Sequence, residues 1–268
     1  MAIIALQSAS TGLTALNTQL DVIANNLANV NTPGFKQSRA NFQDLLYLER
    51  AQAGTENANG DQRPTGLYVG LGVQVSATQQ SFEQGAPLAT GRTLDIMIEG
   101  NGFFRVQTEP EVGNGYGYAR AGNFTLNSEG EIVLANDQGR RLDPNISIPE
   151  DATQVSISSN GEVSVIQPGN IEPTVVGQIE IATFINPAGL ESIGENLWIE
   201  TAASGPAQTG EPSTENRGKL LQGYLEASNV DPTKELIELI RTQRAFDMNS
   251  QVIRASDEVL RTVSQLRT

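Results

Sequence analysis

The sequence predicts an α+β fold in which long N- and C-terminal helices pair as an antiparallel coiled coil, with a central antiparallel β domain and extended linking segments. Apolar residues recur every seven positions near both ends, alternate with polar residues in the middle, and lose their period in two stretches between. The predicted segments are an N-terminal helix (1–32), a linking region that contains a strand (33–91), the β domain (92–200), a return segment (201–227) and a C-terminal helix (228–268).

The N-terminal helix is predicted from a heptad pattern over residues 3–30. Apolar residues occupy position a (Leu6, Leu13, Leu20 and Leu27) and position d (Ala9, Leu16, Ile23 and Val30), which is typical of a coiled-coil seam. Pro33 ends the pattern, because the residue before a proline disfavours the helical region. Pro33 and Gly34 predict a type II turn with a positive φ at the glycine, and Phe35 is expected to be a packing anchor.

The C-terminal helix is predicted to run over residues 232–265, with Asp231 as the N-cap and Pro232 at the first helical position. Its heptad row is Leu239, Phe246, Ile253 and Leu260, and its flanking row is Ala245, Val252, Val259 and Leu266. A two-helix hairpin alone buries little apolar surface, so we expect neighbouring molecules to order both helices. The alternative is that the two helices only pack against each other.

Period-two alternation predicts the β structure of the middle. We expect one strand over 67–75, a strand over 177–185, and three hairpins that turn at Gly100–Gly102, at Ser128–Gly130 and, as a type I′ turn, at Asn160-Gly161. Residues 50–65 and 201–216 have no apolar period and are predicted to be loops or extended segments.

Composition excludes several functional classes. A net charge of −14 argues against nucleic acid, whose phosphates require Lys and Arg, and against a basic membrane-surface footprint. The absence of Cys and His removes thiol nucleophiles, Ser-His-Asp triads and zinc sites built on those residues. No stretch approaches the roughly 18 apolar residues of a membrane span, and the N-terminus lacks the charged start of a secretory signal. We therefore expect no membrane insertion and no export by the general route.

Asp95 and Glu99 are the candidate carboxylate pair, since alternate strand positions would place both on one face. In so acidic a chain, two acids on a solvent-facing strand are the ordinary expectation. The glycine-rich "GNGFF" and "GNGYGY" lack the strand-to-helix context of a nucleotide loop. No catalytic, cofactor-binding or metal-binding residue and no cofactor are predicted. A carboxylate-based peptidoglycan hydrolase remains the enzymatic alternative, and a secreted fibre or adhesin is a further one.

Four stretches carry a resemblance to a known family. They are "LDVIANNLANVNTPGFKQSRANFQDLLY", "GNGFFRV", "YARAGNFTLNSEGEIV" and "YLEASNVDPTKELIELIRTQRAFDMNSQVIRASDEVL". These resemble the N-terminal signature, the start of the β domain and the C-terminal signature of the axial proteins of the bacterial flagellum, the rod and hook subunits. Chain length and "SRANFQDLLYLERAQAG" resemble the distal rod members most. A proximal rod or hook subunit is the alternative within the family.

The resemblance implies a structural subunit that polymerises into a rigid hollow drive shaft, which transmits motor torque to the hook and encloses an export channel. Implied partners are copies of the chain itself, proximal rod proteins, the hook protein, the P and L ring proteins, the type III export apparatus and the rod cap. The implied location is the basal body in the periplasm, from the proximal rod through the peptidoglycan and outer-membrane rings. The family's extra stretch is here about residues 46–65, and residues 50–65 are expected to bridge adjacent subunits; the alternative is a floppy surface loop.

Four asparagines, Asn25, Asn26, Asn29 and Asn31, flank the end of the N-terminal seam. Polar residues beside a seam can fix register and partner choice, so we expect at least Asn26 and Asn29 to hydrogen-bond a neighbouring subunit. The alternative is that Asn31 caps the helix and the others are solvated. The residues expected at subunit contacts are Leu6, Leu13, Leu16, Leu20, Ile23, Asn26, Leu27, Asn29, Val30, Pro33, Gly34, Phe35, Leu239, Phe246, Asn249, Ile253 and Leu260.

Overall fold

The computed structural model describes residues 2–55, 62–169 and 172–265. The chain divides into two compact units: a helical unit (1–28, 38–80 and 231–268) and a β unit (29–37 and 81–230). These units cut across the predicted boundaries, because much of the predicted linking region belongs with the helices. In the described part of the chain, no helix is both long and apolar enough to cross a membrane.

The helical unit consists of two helices and two antiparallel strand pairs, one nested within the other in the chain. Its elements are α1 (Ala2–Ala28), β1 (Ser38–Asp44), β2 (Tyr47–Ala51), β3 (Leu67–Gly70), β4 (Val73–Gln80) and α2 (Pro232–Gln265). Strand β1 pairs with β4 and β2 pairs with β3. The bounds of α2 confirm the prediction, and the Oδ1 atom of Asp231 accepts the amides of Thr233 and Lys234 as an N-cap does.

The two helices of this unit pack antiparallel. Near the end of α1, Asn26 hydrogen-bonds Glu235 near the start of α2. Fourteen residues earlier on α1, a Cβ added to Gly12 would lie 2.8 Å from the amide nitrogen of Asn249, fourteen residues later on α2. The buried residues of α1 are mostly small, and two of them belong to the d row. They are Ala9, Gly12, Ala15, Ile23 and Asn26.

The predicted seam of α1 is only partly covered within the chain. The leucines of the a row (Leu6, Leu13, Leu20 and Leu27) are only half-buried, and so is Leu16 in the d row. Helix α1 also ends at Ala28, four residues short of the predicted segment 1–32, because the amide of Thr32 donates to the carbonyl of Asn29 and opens a turn. Val30 and Asn29 therefore follow the helix and belong to the β unit.

The predicted strand over 67–75 is two strands, β3 and β4. Gly72 between them has a φ of +119°, a region that favours glycine. A Cβ there would lie 2.1 Å from the hydroxyl oxygen of Thr11 on α1. The chain bends at this point because it passes directly over the helix.

The β unit contains fifteen strands among its described residues. They are β5 (Pro87–Ala89), β6 (Ile96–Glu99), β7 (Phe103–Gln107), β8 (Tyr116–Ala119), β9 (Phe124–Leu126), β10 (Ile132–Leu134), β11 (Gln154–Ile157), β12 (Glu162–Ile166), β13 (Thr174–Gln178), β14 (Ile181–Thr183), β15 (Glu191–Gly194), β16 (Leu197–Ile199), β17 (Gln208–Gly210), β18 (Lys219–Gln222) and β19 (Tyr224–Glu226). The largest sheet has the order β15-β16-β8-β7-β14-β17, and a three-stranded sheet has the order β11-β12-β13.

The β unit has its own apolar core. Fully buried side chains from strands and loops meet there, including Ile96, Ile98, Phe104, Phe124, Ile132, Leu142, Ile179, Ile181 and Leu197. Phe104 and Phe124 make an edge-to-face contact with ring centroids 5.1 Å apart. A second, aromatic cluster joins Phe103, Tyr118 and Trp198. Burial raises the pKa of Tyr118 to about 12.

Two predicted hairpins are confirmed and one is wrong. Strands β9 and β10 pair around Ser128–Gly130, and β11 and β12 pair around Asn160-Gly161. Only Gly161 of that second pair has a positive φ, so the turn is not type I′. The predicted hairpin at Gly100–Gly102 does not form, because β6 pairs with β18 while β7 pairs with β8 and β14. The predicted strand over 177–185 is divided between β13 and β14.

Candidate functional site

Helix α2 presents a row of apolar side chains that the chain does not cover. The buried side of the helix is marked by Thr242, Asn249 and Glu235. Away from it, six large apolar side chains are exposed, and Met248 reaches 60%. They are Leu236, Ile237, Ile240, Met248, Val252 and Val259. We call this row the α2 stripe. An exposed apolar row of this length is typical of a surface that binds a partner.

The β2–β3 hairpin carries a second apolar surface. Its exposed side chains are Leu46, Tyr47, Leu48, Leu67 and Tyr68, and Leu46 is 83% exposed. Within residues 50–65, which are predicted to be a loop or an extended segment, Arg50 and Ala51 belong to strand β2. Residues 56–61 of the stretch lie outside the described residues. The rest of the stretch joins two strands of this hairpin.

The heptad residues of α2 lie on the buried side of the helix. Leu239, Phe246 and Ile253 are half-buried, and they lie on the same side as Thr242 and Asn249. Leu260 is more exposed, and Leu266 lies outside the described residues. The predicted subunit-contact role of these residues stays a proposal. Sequence reasoning missed most of the α2 stripe, although its three- and four-residue spacing from Leu236 onward was visible.

The side chain of Asn26 is buried and hydrogen-bonded within its own chain. Its predicted hydrogen bond to a neighbouring subunit stays a prediction. The amide nitrogen donates to the carbonyl of Ser38 at 2.8 Å, and the amide oxygen accepts the backbone N–H of Ser38 at 2.9 Å. The side chain thus pairs with β1 as a neighbouring strand would. Asn29 is only half-buried, and its Oδ1 atom accepts the hydroxyl of Thr32 at 3.1 Å.

The Pro-Gly turn of the β unit forms as predicted. The amide of Phe35 donates to the carbonyl of Thr32 at 3.2 Å, and Gly34 has a φ of +71° at the third position of the turn. A Cβ on Gly34 would lie 2.6 Å from the backbone nitrogen of Ala121. Gly34 therefore serves both the turn and a close backbone contact, and Phe35 is half-buried beside it.

A buried ionic cluster lies directly after this turn. The ammonium of Lys36 donates to the Oε1 atom of Glu226 at 2.7 Å, and Arg120 donates from Nε to Oε2 of the same carboxylate at 2.6 Å. The backbone N–H of Gly85 also donates to Oε1 at 2.7 Å. The side chains of Lys36 and Glu226 are 1% and 0% exposed. Two cations therefore share one carboxylate in the interior.

Burial sets the electrostatics of this cluster. Desolvation lowers the pKa of Lys36, and attraction to Glu226 opposes that shift. Glu226 supplies one negative charge to both cations, so its loss would leave two buried positive charges together. Arg120 extends the cluster by donating to the carbonyl of Gly100 at 2.5 Å and to that of Gly102. Removing one partner of a buried pair typically costs about 3–5 kcal/mol.

Sequence reasoning missed this cluster. Each of its charges stands in an otherwise apolar or small-residue context: "GFK" at Lys36, "YAR" at Arg120 and "YLE" at Glu226. A lone charge in such a context, at three separate places with both signs represented, was the available signal.

Asn229 bonds segments of the chain next to this cluster. Its Oδ1 atom accepts the backbone N–H of Gln37 at 2.7 Å. Its amide nitrogen donates to the carbonyls of Ser81 at 2.9 Å and Glu83 at 3.2 Å. The side chain of Asn229 thus links its own segment to two others of the β unit.

The carboxylate pair considered from the sequence is not a pair in the structure. Asp95 is buried, with an Oδ1 atom that has no hydrogen-bond partner, whereas Glu99 is exposed and bonds Lys219 at 3.0 Å. The expectation that both acids share a solvent face is therefore wrong. Among the described residues, no group of three or more carboxylates is placed to hold a metal ion.

Comparison with known proteins gives matches along the whole chain. Residues 6–36 match the family described as "Flagella basal body rod protein", residues 97–165 the "Flagellar hook protein FlgE/F/G D1 domain", and residues 221–266 the "Flagellar basal body rod FlgEFG protein C-terminal". Lys36, Arg120 and Glu226 each fall in a different one of these three segments.

Full-length relatives agree with these matches. The chain is 44% identical over 265 residues to the flagellar basal-body rod protein FlgG of Caulobacter vibrioides, covering 98% of this chain and 99% of the relative. It is also 44% identical to FlgG of Borreliella burgdorferi, covering 98% of each. Identity to the flagellar hook protein FlgE of Escherichia coli is 26% over 422 aligned positions, covering 98% of this chain and all of the relative.

Terminal helices with uncovered apolar rows, a self-contained β unit and the three matched segments define a structural subunit of the flagellar rod and hook. Within that class, the chain belongs to the family of flagellar basal-body rod proteins.

Proposed function

We propose that the chain is a distal rod subunit that polymerises into a rigid, hollow drive shaft, carries motor torque to the hook and encloses an export channel. Its role is structural rather than catalytic. Rod proteins of two other bacteria are 44% identical over nearly the whole chain, against 26% for a hook protein, which favours rod over hook.

The observation that carries this proposal is the pair of uncovered apolar surfaces on the helical unit. The α2 stripe and the β2–β3 hairpin together expose eleven large apolar side chains in a chain of net charge −14. A monomer would gain stability by covering them. Repeated contacts that do not close on themselves produce an open helical filament, so copies of the same chain can cover these surfaces along a tube.

The finer arrangement follows from the same proposal. Antiparallel α1 and α2 supercoil as a coiled coil in the inner layer of the tube, and the β2–β3 hairpin, with the residues that join its strands, bridges adjacent subunits. The half-buried heptad residues complete their burial there. The tube lies in the periplasm between the proximal rod and the hook, inside the P and L rings. The subunit reaches that site through the type III export apparatus and under a rod cap.

The test is assembly by purified variants. Ile240→Ser places a polar group in the α2 stripe, and Gln251→Ser changes an exposed polar residue of the same helix. By negative-stain electron microscopy we expect the unchanged chain and Gln251→Ser to form straight hollow tubes at high concentration. Ile240→Ser should stay monomeric with an unchanged melting temperature. Straight tubes from Ile240→Ser, or globular monomers from the unchanged chain at all concentrations, would contradict the proposal.

A further inference from the structure

Four passages of the chain cross the boundary of the β unit, and three of them are hydrogen-bonded to one another. The unit's boundaries lie before residue 29, after residue 37, before residue 81 and after residue 230. Beside each of the last three boundaries is a short segment: 34–37, 81–85 and 226–229. We call these three segments together the clamp.

Backbone hydrogen bonds join the segments of the clamp in pairs. The amide of Ser81 donates to the carbonyl of Gln37 at 2.9 Å. The amide of Gly34 donates to the carbonyl of Glu226 at 2.7 Å, and the amide of Asn229 donates to the carbonyl of Phe35 at 3.3 Å. Every segment is therefore bonded to at least one of the others through its backbone.

Side chains then bond all three segments at once. Asn229 reaches Gln37, Ser81 and Glu83 through its amide. Lys36 donates to Glu226 and, at 2.7 Å, to the carbonyl of Glu83. Arg120, at the end of β8, fixes this set to the largest sheet of the unit through Glu226.

We propose that the clamp is a torsional coupling. It makes these three of the four passages leave the β unit as one rigid bundle, so the torque that passes through them is carried by bonded segments rather than by single ones. A single extended segment can rotate about its φ and ψ angles, whereas bonded segments cannot turn separately without breaking buried hydrogen bonds. Closely packed interiors transmit strain with little compression. Lys36, Arg120, Glu226 and Asn229 are the positioning residues. The inference rests on the proposed function as a torque-bearing subunit.

The reactivity of Lys36 toward an amine-reactive reagent reports whether the clamp is closed. It contains only three lysines, Lys36, Lys219 and Lys234. Lys36 is buried in the clamp, while the side chains of Lys219 and Lys234 are 51% and 82% exposed. An amine-reactive reagent should label Lys36 on the order of 100-fold more slowly than the other two, because the clamp must open first. Burial lowers the pKa of Lys36 and would by itself favour labelling, so slow labelling reports inaccessibility.

The variants are Glu226→Gln and Asn229→Ala, and the control is Glu99→Gln, which removes the exposed partner of Lys219. We expect both clamp variants to speed labelling of Lys36 at least about ten-fold, as local opening becomes easier. The control should leave Lys36 protected. Fluorescence of Trp198, the sole tryptophan, checks that the β unit stays folded. Lys36→Met, which leaves the Arg120–Glu226 pair intact, replaces Glu226→Gln if that variant unfolds, with hydrogen exchange of segments 34–37 and 226–229 as its readout.

The load test uses cells that swim with rods built from each variant. Clamp variants should assemble straight tubes and swim normally at low viscosity, but lose speed or break rods at high viscosity, where torque is greatest. Tubes with an open clamp and unchanged speed at every viscosity would overturn the coupling. A Lys36 that stays protected in both clamp variants would also overturn it. If the unchanged chain forms no tubes, the proposed function is refuted instead. The labelling of Lys36 does not depend on polymerisation, so it tests the clamp separately.

Discussion

Phe104 in the β unit and Ile240 on α2 are both large apolar side chains, yet the first is fully buried and the second is half exposed. The same contrast holds for the regions around them. The β unit surrounds a continuous core, whereas the helical unit buries mainly small residues on α1 and leaves the α2 stripe uncovered. A free chain should therefore fold its β unit fully and its helical unit marginally. Association then completes the second region rather than the first.

The largest expected effect is on the core of the β unit. Phe104→Ala removes a buried ring and its contact with Phe124, which should lower the free energy of unfolding by about 3–5 kcal/mol. Ile240→Ala on α2 should change it by less than about 0.5 kcal/mol in the monomer. Urea unfolding followed by Trp198 fluorescence measures the first, and circular dichroism measures the second. If both variants lower the free energy of unfolding equally, the two units do not differ in how completely they are packed.

The second effect concerns the turn at the start of the β unit. Gly34→Ala should destabilise it by more than the roughly 1–2 kcal/mol that a left-handed alanine costs, because the added Cβ also meets the backbone of Ala121. Gly91→Ala is the matched control, since its φ is +70° and nothing lies within 4 Å of the added Cβ. If thermal melts give the same shift for both variants, the close contact at Ala121 has no energetic weight.

A smaller effect is expected in the helical unit at Asn26. Asn26→Leu leaves the N–H and C=O of Ser38 without their partners, at a cost of about 1–3 kcal/mol. Asn17→Leu, at an exposed position of α1, should cost far less. Hydrogen exchange at β1 measures this directly. Unchanged exchange in Asn26→Leu would show that the side chain does not hold the strand.

The smallest effect is acid sensitivity at the start of α2. The backbone amide of Lys234, followed by that of Thr233, lowers the pKa of Asp231 below its ordinary 3.8. The capping contribution is therefore complete above that ordinary value and is lost as pH falls through the lower folded-state pKa. Asp231→Asn caps without titrating, so an acid titration of helicity should lose this step in the variant. Identical titration curves would exclude Asp231 as the acid-sensitive cap.

The sequence predicted elements whose signal is local. The cap at Asp231, the bounds of α2, the Pro33-Gly34 turn and the pairing around Ser128–Gly130 each depend on a few adjacent residues. The sequence-based prediction failed where a segment far along the chain determines which strands pair. Strand β6 pairs with β18, more than a hundred residues away, instead of with the adjacent β7.

The functional residues show the same limit. Heptad spacing located the helices but not the side of each helix that the chain covers. On α1, Gly12 and Ala15 are buried, whereas Leu13 is only half-buried. The cluster of Lys36, Arg120 and Glu226 unites three parts of the chain that are up to 190 positions apart. No local pattern reports that such charges meet.

Hydrogen exchange on the free chain and on the polymer tests whether association completes the fold of the helical unit rather than that of the β unit. In the free chain we expect strong protection in β6–β8 and β14 and weak protection along α2, with exchange in α2 slowing by at least about ten-fold on polymerisation. Protection of the β unit should hardly change. If α2 is protected as strongly as β7 in the free chain, or if its protection does not change on polymerisation, association does not complete the helical unit.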